Sequence, residues 1–401
     1  MSIDKDFGAS AGAPDRLHFL DGLRALAALW VMFGHAHLFV LGWNALPALA
    51  GLLLNWLLYL HLGVDIFLVL SGFCLALPVV RNGFRLSTST AVFFAGRAVR
   101  ILPPYLATLG LILLVNAFVP LARWGRHAAG LTSEIPAAEL WANVLLLQDV
   151  LPQYNTINGP FWSIAAEWHL YLLFPLAVWI LRRFGVLALL LAGINLAIFL
   201  SWFNEKLPLL APNLQVSVPQ PPFFVALFAM GIVAAALAQA PQFAPLRARI
   251  QRHAWQVAAG LTLPLALLLW DNRILDGATV GRFLSHVHQI DPLCGALTAA
   301  LLVGLSGLAP AHWARRVLER RALVALGGFS YSLYLTHIPI LAILYTVMGR
   351  YGMLTEAHAL RDFFILLIGG SLLCIGFSWG FARLFERRLR RRPGGTLALA
   401  V

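Results

Sequence analysis

The 401-residue chain is poor in charge and in cysteine, and it has almost no lysine. Charged residues make up 11% of it, against roughly 25% in an ordinary soluble domain, which leaves too little polar material to cover a water-facing globule. Its three cysteines, Cys74, Cys294 and Cys374, lie inside apolar runs and at no metal-ligand spacing. That excludes a disulfide framework and a cysteine zinc site and leaves them as packing residues. Lysine is confined to Lys5 and Lys206, so arginine supplies the rest of the 29 basic residues, a bias that fits a bacterial coding sequence. The basic residues fall in short clusters without aromatic interleaving, which excludes a nucleic-acid-binding domain despite the net charge of +12. Barrel alternation, solenoid repeats and low-complexity tracts are also missing.

What is present is hydrophobicity, at 60% of residues. Apolar runs of roughly 18 to 25 residues recur from Leu20 to Phe385, the length a helix needs to cross about 30 Å of hydrocarbon. The runs predict an all-α, polytopic membrane helix bundle of about ten transmembrane helices, at 20–42, 49–80, 101–121, 161–181, 184–203, 222–240, 253–270, 291–309, 324–348 and 362–385. The second is too long for one straight crossing, and Gly63, Ser71 and Gly72 mark where it is expected to kink or break. Assigned to alternate sides, about 22 of the 29 basic residues fall on the side of the N-terminus, so the positive-inside rule predicts that both termini are cytoplasmic. The loops 122–160, 204–221 and 271–290 are then extracytoplasmic and placed to shape an acceptor entrance. Residues 1–19 form a cytoplasmic segment without signal-peptide character, 20–385 the transmembrane domain and 386–401 a basic cytoplasmic tail.

Ionisable side chains at membrane depth cost about 2.5 to 3.5 kcal/mol on insertion scales, so they are candidates for function. In the first span Arg24 and His35 are eleven positions apart and share a helix face with Asp21. His35 then falls near mid-bilayer, where imidazole gives and takes protons near neutral pH. A helix-packing histidine is the competing reading, and the Asp21 and Arg24 context favours the functional one; His37, on another face, keeps the packing role. Asp65 and Ser71 interrupt the second span. Asp65 is set to orient a histidine, pair an arginine or form a structural ion pair, and Ser71 suits a kink-stabilising hydroxyl better than a nucleophile. Arg97 and Arg100, at i and i+3, suit phosphate recognition or simply obey the charge rule. Ser163, Glu167 and Tyr171 form one stripe, with Glu167 about 9 Å inside the outer boundary, while His169 faces away. His337 is set either to share a cavity with His35 or to bond a carbonyl freed by Pro339.

The blocks LHFLDGLRALAALWVMFGHAH, GVDIFLVLSGF, FFAGRAVRILPPY, NGPFWSIAAEWHLYLLFP and GGFSYSLYLTHIP, with a terminal Phe385-Glu386-Arg387, together resemble the acyltransferase 3 family of integral membrane acyltransferases over nearly the whole chain. The resemblance implies that Arg24 and His35 form the family's Arg-x10-His pair, with His35 catalytic, and that Arg97 and Arg100 face acyl-CoA. By motif position it also points to Asp65, Ser71, Glu167 and Tyr171. Ala76 stands where the family's Ser-Gly-Phe-x-x-Ser block has its second serine, so that hydroxyl has no role here. The implied activity is transfer of an acyl group, acetyl being the commonest, from cytoplasmic acyl-CoA to a hydroxyl of a glycan or glycoconjugate beyond a bacterial inner membrane. Such thioester-to-ester exchange is expected to need no bound cofactor and no metal. The alternative is a proton-coupled transporter, since the same buried groups serve a proton relay; the internal symmetry it predicts is not visible in the sequence.

Overall fold

A computed structural model of the chain describes residues 17–42, 48–118, 135–151, 157–210, 222–274, 277–355 and 358–387. Among the described residues there is no strand; the elements are helices joined by short turns. They run α1 (His18–Val40), α2 (Ala48–Leu54), α3 (His61–Arg81), α4 (Thr90–Phe118), α5 (Ala137–Val144), α6 (Phe161–Leu210), α7 (Phe224–Gln239) and α8 (Ala244–Arg252). Then follow α9 (Ala254–Asp271), α10 (Gly277–Gly307), α11 (Trp313–Leu318), α12 (Arg321–Gly327), α13 (Ser330–Arg350), α14 (Ala359–Ile365) and α15 (Ser371–Ala382).

Eight elements among the described residues are long and apolar enough to cross a membrane, or nine with the pair Phe224–Gln239 and Pro241–Arg252, which is bent by 84°. One of the eight, Phe161–Leu207, has 47 residues, and straight it would span about 70 Å, more than twice the hydrocarbon core. Its backbone breaks at Gly185, whose φ of 88° only glycine adopts without strain. Divided there it makes two crossings, so the expected ten-helix bundle holds. Large apolar side chains face outward along its flanks, among them Leu187 at 66% exposure, Trp270 at 67% and Leu372 at 69%. A soluble protein does not leave such a surface bare, and the chain is a multi-pass membrane protein.

Several boundaries differ from the sequence reading. Gly63, Ser71 and Gly72 lie inside the continuous helix α3, and the break of the second span comes earlier, at a 3-10 turn over Asn55–Tyr59. The glycines serve helix contact instead. A Cβ on Gly72 would meet Phe228 O at 2.2 Å, and one on Gly231 would meet Val69 O at 2.1 Å, so α3 and α7 approach backbone to backbone at a reciprocal pair of glycines. The third span starts earlier, at Thr90, and the eighth at Gly277, so most of the predicted 271–290 loop is helix. Periodicity undercounted both because arginines and histidines dilute their first turns.

Residues 122–134, 152–156, 211–221 and 275–276 of the predicted outer loops, and 119–121 at the end of the predicted third span, lie outside the described residues. What is described of 122–160 is not a surface loop. Glu139, Asn143, Gln148, Asp149 and Asn158 are all buried. The Tyr105 hydroxyl, fifteen residues into α4, donates to Asn143 O at 2.8 Å, and Gln148 Nε2 donates to that hydroxyl at 3.1 Å and to Phe161 O at 2.8 Å. The segment dips into the bundle, where non-helical backbone is tolerated because protein groups satisfy it.

α1 begins against α11 and α12: a Cβ on Gly22 would meet Leu318 O, and one on Gly327 would meet Asp21 O, each at 2.0 Å. Arg81 closes α3 beside this end of the bundle and Arg315 lies on α11, so this is its basic end.

Candidate active site

Between α1, α3, α4, α6 and α13 a cavity of about 1260 Å³, its open mouth included, begins at Leu86, Ser87 and Thr88 in the turn between α3 and α4. Arg24, Arg97 and Arg100 line it, with Glu167 as the one acidic side chain of the wall. Three guanidinium groups against one carboxylate make it a receptor for an anionic ligand, because arginine forks match phosphate and carboxylate oxygens in pairs.

Each arginine is placed by its helix. Arg24, one turn into the packed part of α1, donates from Nη1 to Asp21 Oδ1 and from Nη2 to Cys74 Sγ, both at 3.1 Å. Arg97 and Arg100 sit about two and three turns into α4, and burial of Arg97 over the Phe93 ring, 5.8 Å away, turns the pair inward rather than toward a loop. Asp21 is the partner of Arg24, and it does not line the cavity.

The stripe Ser163, Glu167 and Tyr171 faces the cavity as the spacing predicts, but its depth is different. The structure places Glu167 in the same chamber as Arg97 and Arg100, not in a separate outer compartment. The reason is that α6 starts inside the bundle, with Ser163 Oγ 2.6 Å from the Tyr334 hydroxyl and Asn158 Nδ2 bonded to Leu335 O at 3.0 Å. Glu167 Oε1 accepts from Ser71 Oγ at 2.8 Å and from the Tyr171 hydroxyl at 2.5 Å, which ties α3 to α6. Ser71 is therefore an inter-helix donor rather than a kink-stabilising hydroxyl.

His35 and His337 meet just beyond the cavity wall. Their ring centroids are 5.0 Å apart, and His337 Nε2 is 3.1 Å from His35 Nδ1. Counted along the helices from the Asp21–Gly327 contact they lie roughly 21 and 15 Å in, near mid-bilayer. Neither lines the cavity; Tyr334, which does, stands between, with its ring 5.9 Å from that of His337. The hydrogen bonds select the tautomers. His337 Nδ1 lies 3.1 Å from Leu333 O and His35 Nδ1 2.9 Å from Val31 O, so both Nδ1 atoms carry hydrogen. His337 Nε2 is then an acceptor for His35 Nδ1–H, and the basic nitrogen of His35 is Nε2. The carbonyl that Pro339 frees, Leu335 O, is satisfied by Asn158, so His337 is not needed for it.

Asp65 is not brought to this pair. Its carboxylate lies 3.7 Å from His61, one turn earlier on α3, in a group that Asp291 of α10 completes. His169 pairs with Asp149 at 2.7 Å, off the stripe as expected.

The match to known proteins follows this arrangement. The acyltransferase 3 family model, described as an acyltransferase domain, matches residues 17–383. The chain belongs to the acyltransferase 3 family. Membership makes this chain an acyltransferase acting on a non-aminoacyl acceptor. Among curated relatives, acyltransferase MdmB of Streptomyces mycarofaciens is 27% identical over 356 residues, covering 83% of this chain and 81% of its own. Nodulation protein 10 of Rhizobium leguminosarum bv. viciae is 30% identical over 230 residues, 53% of this chain and 58% of its own. Protein 2 in the picA locus of Rhizobium radiobacter is 29% identical over 171 residues, 40% and 79%. No solved structure matches the acyltransferase.

Sequence reasoning missed Cys74, Tyr334, His61 and Asp291. Cys74 follows Ser71 by three residues and so shares its helix face, a signal that was available; Asp291 lies 230 positions from its partner His61, and no local pattern connects them.

Proposed function

We propose that this acyltransferase takes an acyl group, acetyl in the simplest case, from cytoplasmic acyl-CoA and passes it to a hydroxyl of a carbohydrate or other envelope or secreted acceptor across a bacterial inner membrane. The cavity that opens at the basic end and carries Arg24, Arg97 and Arg100 is the observation that supports it. The basic end is taken as cytoplasmic on the positive-inside rule. The arginine bias and the relatives from Streptomyces and Rhizobium favour a bacterial membrane.

In this reading the donor's phosphates rest against Arg97 and Arg100 and its thioester reaches past Tyr334 toward His35. The acceptor arrives from the opposite side, past the buried polar residues Asn143, Gln148 and Asn158. His35 Nε2 takes the proton of the acceptor hydroxyl as its oxygen attacks the thioester carbonyl. The C–S bond then breaks, and the CoA thiolate leaves with that proton, giving ester and free thiol. Alternatively Nε2 first takes the acyl group as the C–S bond breaks, giving an acyl-imidazolium and the CoA thiolate; the acceptor oxygen then takes the acyl group as the Nε2–acyl bond breaks, and its proton goes to the thiolate. Val31 O and His337 Nε2 hold Nδ1–H in both routes. Glu167, Ser71 and Tyr171 line the same chamber as the arginines and offer hydrogen bonds where donor and acceptor meet, with Ser163 setting Tyr334. The exchange consumes acyl-CoA as a substrate and needs no bound cofactor.

Purified wild-type protein incubated with radiolabelled acetyl-CoA and candidate polysaccharide, glycolipid and small-molecule acceptors should yield base-labile label on one class, and His35→Ala should give none. Full activity in a well-folded His35→Ala variant would end the proposal.

A further inference from the structure

A second polar group lies outside the cavity, toward the other end of α3. His61 Nε2 is 3.2 Å from Asp291 Oδ2 and 3.7 Å from Asp65 Oδ1, and one ligand atom from each of the three lies within 4.8 Å of the others. Donors held by one tetrahedral Zn2+ at about 2.0 to 2.2 Å stand roughly 3.3 to 3.6 Å apart, so the two separations from His61 lie within about 0.1 Å of that span, and the carboxylates are close enough for small side-chain rotations to bring all three donors to one ion.

The charge balance points the same way. Asp65 and Asp291 are both 0% exposed, and neither oxygen of Asp65 nor Oδ1 of Asp291 is met by a nitrogen or oxygen donor at hydrogen-bond geometry, the Cys294 thiol being the polar group beside Asp65. Two buried carboxylates facing each other with lone pairs unmet are costly, and one imidazole neutralises at most one of them. A divalent cation neutralises both. His61 is set for ligation, since its ring stacks on Phe224 at 5.9 Å and on Trp162 at 6.3 Å while Phe283 meets it edge-on. Its side chain keeps 15% exposure, which gives an entry path.

We infer that His61, Asp65 and Asp291 bind a divalent first-row transition cation, Zn2+ in the first instance, that joins α3 to α10. Imidazole selects such a metal over Mg2+ or Ca2+, and three protein ligands leave one position for water. The ion ties the two helices outside the donor cavity, whose wall reaches Val64 on a neighbouring position of α3. It holds no reacting atom of the proposed transfer, so this inference stands or falls independently of that mechanism.

The full chain, purified in detergent with a tag free of histidine, should carry about one equivalent of zinc by elemental analysis. Chelation should remove it and lower the thermal midpoint, and added Zn2+ should restore the midpoint in a saturable way. Asp291→Asn should bind zinc at least tenfold more weakly. Where that variant does not fold, X-ray absorption on the wild-type zinc protein decides: one nitrogen and oxygen donors support the site, whereas a sulfur or all-nitrogen shell overturns it. Stripped wild-type protein that takes up no Zn2+, Co2+ or Mn2+, with an unmoved midpoint, also overturns it and leaves a shared proton between the carboxylates. Unchanged zinc content in folded Asp291→Asn would place the ion elsewhere and overturn it too.

Discussion

Replacing His337 separates a positioning role from a reacting one. His35 Nδ1–H has two acceptors, Val31 O at 2.9 Å and His337 Nε2 at 3.1 Å. His337→Phe keeps a ring of similar size and removes one of them, while Val31 O still holds the tautomer. The loss is the net worth of one neutral hydrogen bond, about 0.5 to 1.5 kcal/mol, or roughly a twofold to tenfold fall in kcat at 1.36 kcal/mol per decade. His35→Ala removes the proposed base itself and should cost at least 10² to 10⁴ on the ordinary scale of such groups. Steady-state transfer from radiolabelled acetyl-CoA by protein in nanodiscs gives kcat and KM separately. The expected pattern is a modest kcat loss at unchanged donor KM for His337→Phe, with partial recovery in His337→Gln, whose amide oxygen again offers an acceptor. An effect as large as that of His35→Ala in a folded protein would show that His337 takes part in the chemistry. No effect at all would show that the contact orients nothing.

Arg97→Gln and Arg100→Gln each remove a charge-assisted contact of about 1.5 to 3 kcal/mol, so donor KM should rise roughly ten- to hundredfold with kcat little changed; a kcat defect at constant KM would contradict phosphate binding. Cys74 lines the cavity whereas Cys294 and Cys374 are buried, so a thiol reagent should modify one cysteine rapidly and CoA should slow it; labelling indifferent to saturating CoA would move the donor elsewhere. Gly72→Val puts a Cβ 2.2 Å from Phe228 O, an overpacking that costs about 1 to 3 kcal/mol or more, and the thermal midpoint should fall even where the cavity residues are intact. Glu386 accepts from both the backbone N–H and the hydroxyl of Ser332, so Glu386→Ala should loosen α13 and raise the susceptibility of the C-terminal segment to limited proteolysis; an unchanged digestion pattern counts against that anchor.

The helices were legible because lipid imposes one rule, a run of about 20 apolar residues, which the predicted spans obey closely enough to be found. The boundaries that failed were those where polar residues sit inside helix, as with Arg97 in α4 and Arg282, His286 and His288 in α10. Spacing on one helix read well: Asp21 with Arg24, and Ser163 with Glu167 and Tyr171, face as predicted. Relations between helices did not read from spacing at all. That His337 meets His35 stood in the sequence only as one of two alternatives, and that Asp65, four residues after His61 on α3, also meets Asp291 depends on how α3 and α10 pack. The depth of Glu167 was misjudged because the segment before α6 looks like a loop by composition, and only its buried hydrogen bonds reveal that it enters the bundle.

The central claim is that the donor enters from the basic end of the bundle and reacts deep inside it. Protein reconstituted in a single orientation into sealed vesicles tests this directly, with radiolabelled acetyl-CoA supplied to one side and acceptor to both. Orientation is established by labelling a cysteine introduced at Ser87, on the turn at the cavity mouth, in a Cys74→Ala background. Transfer should occur only when acetyl-CoA is on the Ser87 side; equal or exclusive transfer from the other side would contradict the account.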